Sequence, residues 1–362
     1  MRIAVVDPSG YTPPYDHRLS RALAQRGHDV ELLTSPPFFG TAPKADGYRR
    51  TEVFFTATGR LIRRRPRSPA RIVLKGAEYL PSIRRLRQCL AELLPDVVHV
   101  QWLPYPRYDV RWFRRLGPTV FTAHDVLPRR TAHRRDLWLE IFGTADRVVV
   151  HSESARERLV ALGVDGAKLI VIPHPLFDRE GLEPEPPSGR TLLFFGLIRP
   201  SKGLDVLLRA LPSIPDAELV VAGDPMEPLV PYLRLAESLG VENRIGWRPH
   251  YAEEDEIAEL MAEAAAVVLP YREIESSGVL ATALGHGRPV VVTDVGSLGD
   301  TVRQFGAGLV VPPEDPAALA VACTQLLEDR SAAFHGTQAA RELTWEKAAE
   351  AHERVYEEVV RR

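Results

Sequence analysis

Cysteine is nearly absent. The chain of 362 residues carries two, Cys89 and Cys323, far apart and at no metal-ligand spacing. That excludes a disulfide framework and a thiolate zinc site, and a reducing compartment is the simplest setting. Charge of one sign is lacking too: 46 Lys and Arg stand against 48 Asp and Glu, for a net charge of −2. A general nucleic-acid-binding domain needs a strongly basic face, so no nucleic-acid partner is expected. No run approaches the ~18 apolar residues of a membrane span. The opening Met1-Arg2-Ile3-Ala4-Val5-Val6-Asp7 is too short an apolar run for a signal peptide and reads as a strand at once. The expected location is therefore cytoplasmic, with any membrane met from one side only. Several catalytic signatures are also missing. Pro8-Ser9-Gly10-Tyr11-Thr12-Pro13-Pro14 follows the first strand and is not the glycine fingerprint of dinucleotide binding. There is no Walker loop, no Gly-x-Ser-x-Gly elbow and no Asp-x-Asp metal pair, so no metal or other cofactor is expected.

Short apolar runs alternating with helical patterns are present from end to end. The runs are Ile3–Asp7, Val30–Thr34, Val53–Thr56, Val97–Gln101, Val120–Ala123, Val148–His151 and Leu169–Ile172, then Leu192–Gly196, Leu219–Ala222, Ala266–Pro270, Val290–Thr293 and Gly308–Val311. Rich in Val, Ile and Leu, they read as strands buried on both faces, which need helices on both sides. Segments such as Arg18–Arg26, Glu153–Leu162, Leu204–Leu211, Glu254–Glu263 and Pro316–Glu328 have helical spacing. The alternation predicts an α/β chain of parallel sheets. The proline-rich stretch Pro173–Arg190 makes a poor helix and a poor strand, and reads as a connector. The expected domains are 1–175 and 176–344. Ligands of such sheets sit at the carboxyl ends of the strands, so residues that end strands are the candidates.

Three strand ends carry chemistry. After Phe194-Phe195, Gly196 permits a tight turn, and Arg199 and Lys202 lie before a helix. A guanidinium fork and a mobile ammonium there suit a diphosphate; the same pair also reads as two solvated surface cations. After Pro270, the stretch Glu275-Ser276-Ser277-Gly278-Val279 opens a helix, and the amides of a helix start favour an anion. Glu275 there suits sugar hydroxyls, while Glu275 or Ser276 as a plain helix cap is an equal reading. After Phe121-Thr122-Ala123, His124 stands next to Asp125; it reads as a hydrogen-bond partner for a sugar hydroxyl or as a structural loop histidine.

Taken in order, these pieces resemble family 4 of the retaining glycosyltransferases, glycosyl transferases group 1, over nearly the whole chain. The likeness rests on Arg26-Gly27-His28-Asp29-Val30, His124-Asp125, Val150-His151-Ser152-Glu153, Gly196 to Gly203, Val221-Ala222-Gly223-Asp224, Glu275 to Val291, and Thr293-Asp294-Val295-Gly296. Trp345–Val360 looks like the family's last helix, which packs back on the first domain. The resemblance implies the GT-B fold: two doubly wound Rossmann-like domains facing across a cleft, an acceptor-side first domain with helix 345–362 and a nucleotide-sugar-binding second domain. It implies a metal-independent hexosyltransferase in which Arg199 and Lys202 hold the donor diphosphate, helped by Gly196 and the amides near Ser277–Val279. Glu275 would bind the transferred sugar, and His124 would reach it from the first domain. The chain departs from the family at three places. Thr282 or Ala283 stands where a second glutamate contacts the ribose, Gly10 stands alone where paired glycines approach the diphosphate, with the helix-start residues Tyr15-Asp16 as expected substitutes, and Pro173-His174-Pro175 replaces Pro-Asn-Gly.

The acceptor is expected to be a glycan or lipid-linked molecule in polysaccharide or glycolipid assembly, and the donor a UDP- or GDP-sugar. From Arg60 to Arg87 ten cations (Arg60, Arg63, Arg64, Arg65, Arg67, Arg71, Lys75, Arg84, Arg85 and Arg87) face only Glu78, with Ile83, Leu86, Leu90 and Leu93 at helical spacing. This reads as contact with an anionic membrane surface or as a solvated face on a core-packed helix. Trp102, Tyr105, Tyr108 and Trp112 read as a sugar-stacking wall or as core. The alternatives in function are a non-catalytic nucleotide-sugar-binding protein and another GT-B enzyme, such as a nucleotide-sugar epimerase.

Overall fold

The computed structural model describes residues 1–37, 41–62, 70–128, 130–177, 189–329, 339 and 341–361. The chain divides into two compact units, Met1–Pro173 with Trp345–Arg362, and His174–Thr344.

The first unit holds β1 (Arg2–Asp7), α1 (Pro13–Gln25), β2 (Asp29–Thr34), β3 (Arg49–Glu52), α2 (Thr56–Ile62), α3 (Ala70–Leu93) and β4 (Val97–Val100). It continues with α4 (Pro106–Phe113), β5 (Thr119–Thr122), α5 (Arg135–Thr144), β6 (Arg147–Val150), α6 (Glu153–Ala161) and β7 (Leu169–Val171). The strands form one sheet in the order β3-β2-β1-β4-β5-β6-β7, parallel throughout. Ile3, Ala4, Val5 and Val6 of β1 are all buried, because helices cover both faces. The last helix, here α13 (Trp345–Val360), belongs to this unit. It packs on α1, and its Tyr356 hydroxyl lies 2.7 Å from Nδ1 of His99 on β4.

The second unit holds β8 (Thr191–Phe195), α7 (Leu204–Ala210), β9 (Glu218–Ala222), α8 (Val230–Ser238), β10 (Ile245–Arg248) and α9 (Glu254–Glu263). It continues with β11 (Ala266–Leu269), α10 (Gly278–Gly285), β12 (Val290–Thr293), α11 (Leu298–Phe305), β13 (Gly308–Val311) and α12 (Pro316–Glu328). The sheet order is β10-β9-β8-β11-β12-β13. That is the doubly wound order in which the winding reverses beside the unit's first strand, and the crevice at the reversal is where such sheets take ligands. The reversal lies between β8 and β11 here, and between β1 and β4 in the first unit.

Two strands differ from the sequence expectation. The expected Val53–Thr56 strand is instead a buried corner: the N–H groups of Val53 and Phe54 both donate to the carbonyl of Thr34 (2.9 and 3.2 Å), Phe55 turns at φ +48°, and α2 begins at Thr56. The strand is Arg49–Glu52. Its polarity is tolerated because it lies at the sheet edge, where Arg49 pairs with Asp29 at 2.7 Å and Thr51 donates to Glu31 at 2.7 Å. The strand without a sequence counterpart, β10, is the corresponding edge of the other sheet.

Candidate functional site

In the second unit two loops leave the strands that flank the reversal. The loop after β8 needs two glycines of its own and a third just after β9 for its path. Gly196 turns at φ +109°. At Gly223 a Cβ would lie 1.9 Å from the carbonyl oxygen of Gly196, and at Gly203 (φ +66°) 1.9 Å from that of Pro270. A side chain at Gly203 would push the loops after β8 and β11 apart, and one at Gly223 would push the loop after β9 off Gly196. The loops are also joined by polar contacts. The Arg272 amide donates to Ser201 O (3.0 Å), Arg272 Nη1 donates to Pro200 O (2.6 Å), and the guanidinium grips both oxygens of Asp205 at 2.8 Å, with Glu314 as a further partner.

This frame fixes Lys202. Its side chain is buried, and Nζ sits 3.6 Å from the centre of the Tyr271 ring, a cation held on an aromatic face. Arg199, half-buried, lies on the turn just before it. Its positive charge and Ser277 partly offset the burial that pushes the Tyr271 hydroxyl above its usual range. Arg199, Lys202 and Ser277 are thus brought together around Tyr271. Ser277 caps α10, its hydroxyl accepting from the amide of Leu280 at 3.3 Å. Gly278 and Val279 then supply first-turn N–H groups that have no partner within the helix. Glu275 is pinned by its carbonyl, which accepts from the Ser297 amide (2.9 Å) and hydroxyl (2.8 Å). Its side chain, like that of Ser276, is half-buried. The Thr282 hydroxyl donates to Gly278 O (2.8 Å) and so serves the helix.

In the first unit the strand ends bring together a different set. His124, after β5, is buried, with Nε2 2.9 Å from Gln101 Oε1 and Nδ1 3.3 Å from Nε2 of His151. His151 donates from Nδ1 to Ile172 O (2.9 Å), and burial lowers its pKa to about 4. Trp102 stacks on His124 with ring centres 4.9 Å apart and planes 12° off parallel, and its Nε1 donates to Thr12 (3.1 Å). Tyr11, an exposed side chain, meets Trp102 edge-on at 5.4 Å. Gly10, at φ +56°, gives its N–H to Asp7 Oδ1 at 3.0 Å. Of the other aromatics considered for a sugar wall, Trp112 is core, its Nε1 donating to Asp109 at 3.0 Å, and Tyr105 packs on Tyr79.

The basic stretch forms α2 and α3; Arg63, Arg64, Arg65 and Arg67 lie outside the described residues. Glu78 turns inward and accepts from the amides of Ala57 and Thr58, both at 2.9 Å, and from Arg85. Ile83 and Leu86 face the core, while Leu61, Ile72, Val73 and Leu80 are exposed. Among the described residues no helix is long and apolar enough to cross a membrane.

Sequence reasoning assigned no role to Tyr271, Arg272, Gln101 or His151. The first two sit inside the motif that was read, and the usable signal was their place directly after a buried strand.

Two family profiles match, "Glycosyltransferase Family 4" over residues 15–176 and "Glycosyl transferases group 1" over residues 189–329. The chain belongs to this glycosyltransferase family. Its curated relatives include a D-inositol 3-phosphate glycosyltransferase of Streptomyces bingchenggensis, 31% identical over 61% of this chain and 55% of that protein. Another of the same name, from Mycobacterium bovis, is 28% identical over 71% of this chain and 60% of that protein. The chain thus spans about three-fifths or less of the length of these relatives. Among solved structures, a sucrose-phosphate synthase from Thermosynechococcus elongatus has a TM-score of 0.78 at 20% identity, covering 99% of both chains. HepE of Anabaena, solved with UDP and glucose, has a TM-score of 0.74 at 17% identity, covering 99% of this chain and 100% of its own. At these identities the likeness is one of fold, and the fold of this glycosyltransferase-family chain is GT-B, with two Rossmann-like domains.

Proposed function

We propose that the protein is a retaining, metal-independent glycosyltransferase that moves a hexose-type sugar from a nucleotide-sugar to a glycan, glycolipid or lipid-linked acceptor. The observation that carries this reading is Lys202, a buried ammonium held on the Tyr271 ring beside Arg199 and the start of α10. Two cations and two helix-start amides at one strand edge suit a pyrophosphate. They would stabilise the charge that develops on the departing nucleotide diphosphate, the task a metal performs in other enzymes. Glu275 would accept from hydroxyls of the sugar. In the first unit, a sugar hydroxyl would join the chain Gln101–His124–His151. The leaving phosphate would take the acceptor's proton on the face from which it departs, so no protein base is assigned. A UDP-sugar is favoured over a GDP-sugar because HepE was solved with UDP and glucose. The names of the curated relatives put a phosphorylated polyol among the acceptors to try.

The cytoplasmic face of a membrane is the proposed place of work. Arg60, Arg84 and Arg87 are exposed, as are Leu61, Ile72, Val73 and Leu80, a combination that suits an anionic surface. Co-sedimentation with vesicles tests this: recovery with anionic but not neutral vesicles is expected, and equal recovery contradicts it. For the reaction, a thermal-shift panel of UDP-, GDP-, ADP- and dTDP-sugars, followed by an assay for released nucleotide with candidate acceptors, is the test. Stabilisation by one donor with acceptor-dependent release supports transfer. Stabilisation without release under any acceptor would leave a binding protein.

A further inference from the structure

The turn between β1 and α1 is organised by two buried acids. Asp7, the last residue of β1, is fully buried. Its Oδ1 accepts from the amides of Ser9 and Gly10, each at 3.0 Å, and its Oδ2 from the amide of Tyr11 at 2.8 Å. Three N–H donors converging on one carboxyl group select its ionised form. Asp16, in the first turn of α1, is also fully buried, and neither of its oxygens accepts a hydrogen bond from any described residue. Its side chain lies in hydrogen-bonding contact with Asp7. Two carboxylates cannot both be charged in such a place, and an acid beside an ionised carboxylate can hydrogen-bond it only by donating.

We propose that Asp16 is a positioning residue that keeps its proton at neutral pH and through it donates a hydrogen bond to Asp7. One negative charge shared by the pair then folds residues 8–12 around itself. The loop so shaped carries Thr12, which accepts from Trp102, and Tyr11, which packs on Trp102, and Trp102 in turn stacks on His124. The acid pair thereby sets the strand end at which His124 stands. Burial and the charge of Asp7 both raise the pKa of Asp16 well above the usual carboxylate range. The other groups facing it are Arg50 of β3, which favours its ionised form, Tyr48 just before β3, and Tyr15 of its own helix; His17 of that helix lies 2.8 Å from the Tyr48 hydroxyl. None of these donates a hydrogen bond to Asp16, so among the described residues the hydrogen bond of its carboxyl group is the one through its own proton.

The sign of the pH effect follows. Below the usual carboxylate range both the folded and the unfolded chain hold this proton. As the pH rises through that range the unfolded chain loses it and the folded chain does not, so stability falls until the folded pKa is passed. Asp16→Asn keeps a donor for Asp7 and removes the ionisation. Thermal melting of wild type and Asp16→Asn, followed from acid to alkaline pH, is the experiment. The variant is expected to gain on wild type by several degrees as the pH rises, while Asp16→Leu, which cannot donate, melts lower at neutral pH. Parallel melting curves for wild type and Asp16→Asn at every pH would overturn the proposal. The importance given to His124 rests on the transferase reading, so turnover is measured separately. An alkaline limb in wild type that Asp16→Asn lacks supports the positioning role. The same limb in both proteins would overturn that role. If melting behaves as expected and no donor is turned over by either protein, the acid pair stands and the transferase reading fails.

Discussion

The two sheets share a winding order and a strand edge, yet the chemistry placed at that edge differs. In the second unit the loops after β8 and β11 bring Arg199, Lys202 and the start of α10 around Tyr271. In the first unit, the end of β1 and the loops after β4, β5 and β6 supply Asp7, Trp102, His124 and His151. Burial holds His99, His151 and His352 of that unit below the usual histidine range, so these imidazoles are neutral at neutral pH. One edge thus gathers cations at a helix start, and the other gathers stacked and hydrogen-bonded rings. Two cations of the second unit are placed differently: Arg272 pairs with Asp205 and Glu314, and the Lys202 ammonium lies over the Tyr271 ring.

This contrast can be broken at several points. The largest expected effect is on turnover: Lys202→Ala or Arg199→Ala should lower it by about tenfold or more, from lost leaving-group stabilisation. Steady-state kinetics checks this, and wild-type turnover in either variant would remove the assignment. Arg272→Ala should act differently, by loosening the two loops. A stability loss of about 1–3 kcal/mol is expected from the broken bidentate pair, read by denaturant unfolding together with weaker nucleotide binding. On the neutral edge, unfolded histidines titrate near their usual value while His151 and His352 in the folded chain wait until about 4. Stability should therefore fall as the pH drops from the usual histidine range toward that value. A melting temperature flat across this window would show that the imidazoles are not held neutral. The smallest effect is expected from Tyr271→Phe, which keeps the ring under Lys202 and should leave nucleotide affinity near wild type, whereas Tyr271→Leu should weaken it.

How much of this was legible follows from burial. The runs Ile3–Asp7, Leu192–Gly196 and Ala266–Pro270 were readable because strands covered on both faces carry little but apolar residues. Arg49–Glu52 and Ile245–Arg248 were not, since edge strands admit charge and glycine; the apolar Val53–Phe55 misled because a buried corner has the same composition as a strand. Arg199, Lys202 and Glu275 stand out in the sequence as polar residues ending buried strands. Tyr271 has no role in the sequence reading because an aromatic beside a strand reads as core, and Trp102 reads both as a sugar-stacking ring and as core for the same reason; both are packed against other groups. Asp16 reads in the sequence only as a helix-start residue beside the first loop, as an acid in a helix's first turn is ordinarily a solvated partner of the helix dipole. Only its complete burial beside Asp7 separates the two cases.

The most direct test of the central claim is the crystal structure of the protein soaked with its nucleoside diphosphate. The account requires the pyrophosphate oxygens within hydrogen-bonding distance of Arg199 and Lys202, with the Lys202 ammonium still bordering Tyr271. Density for the diphosphate at any other place would contradict it.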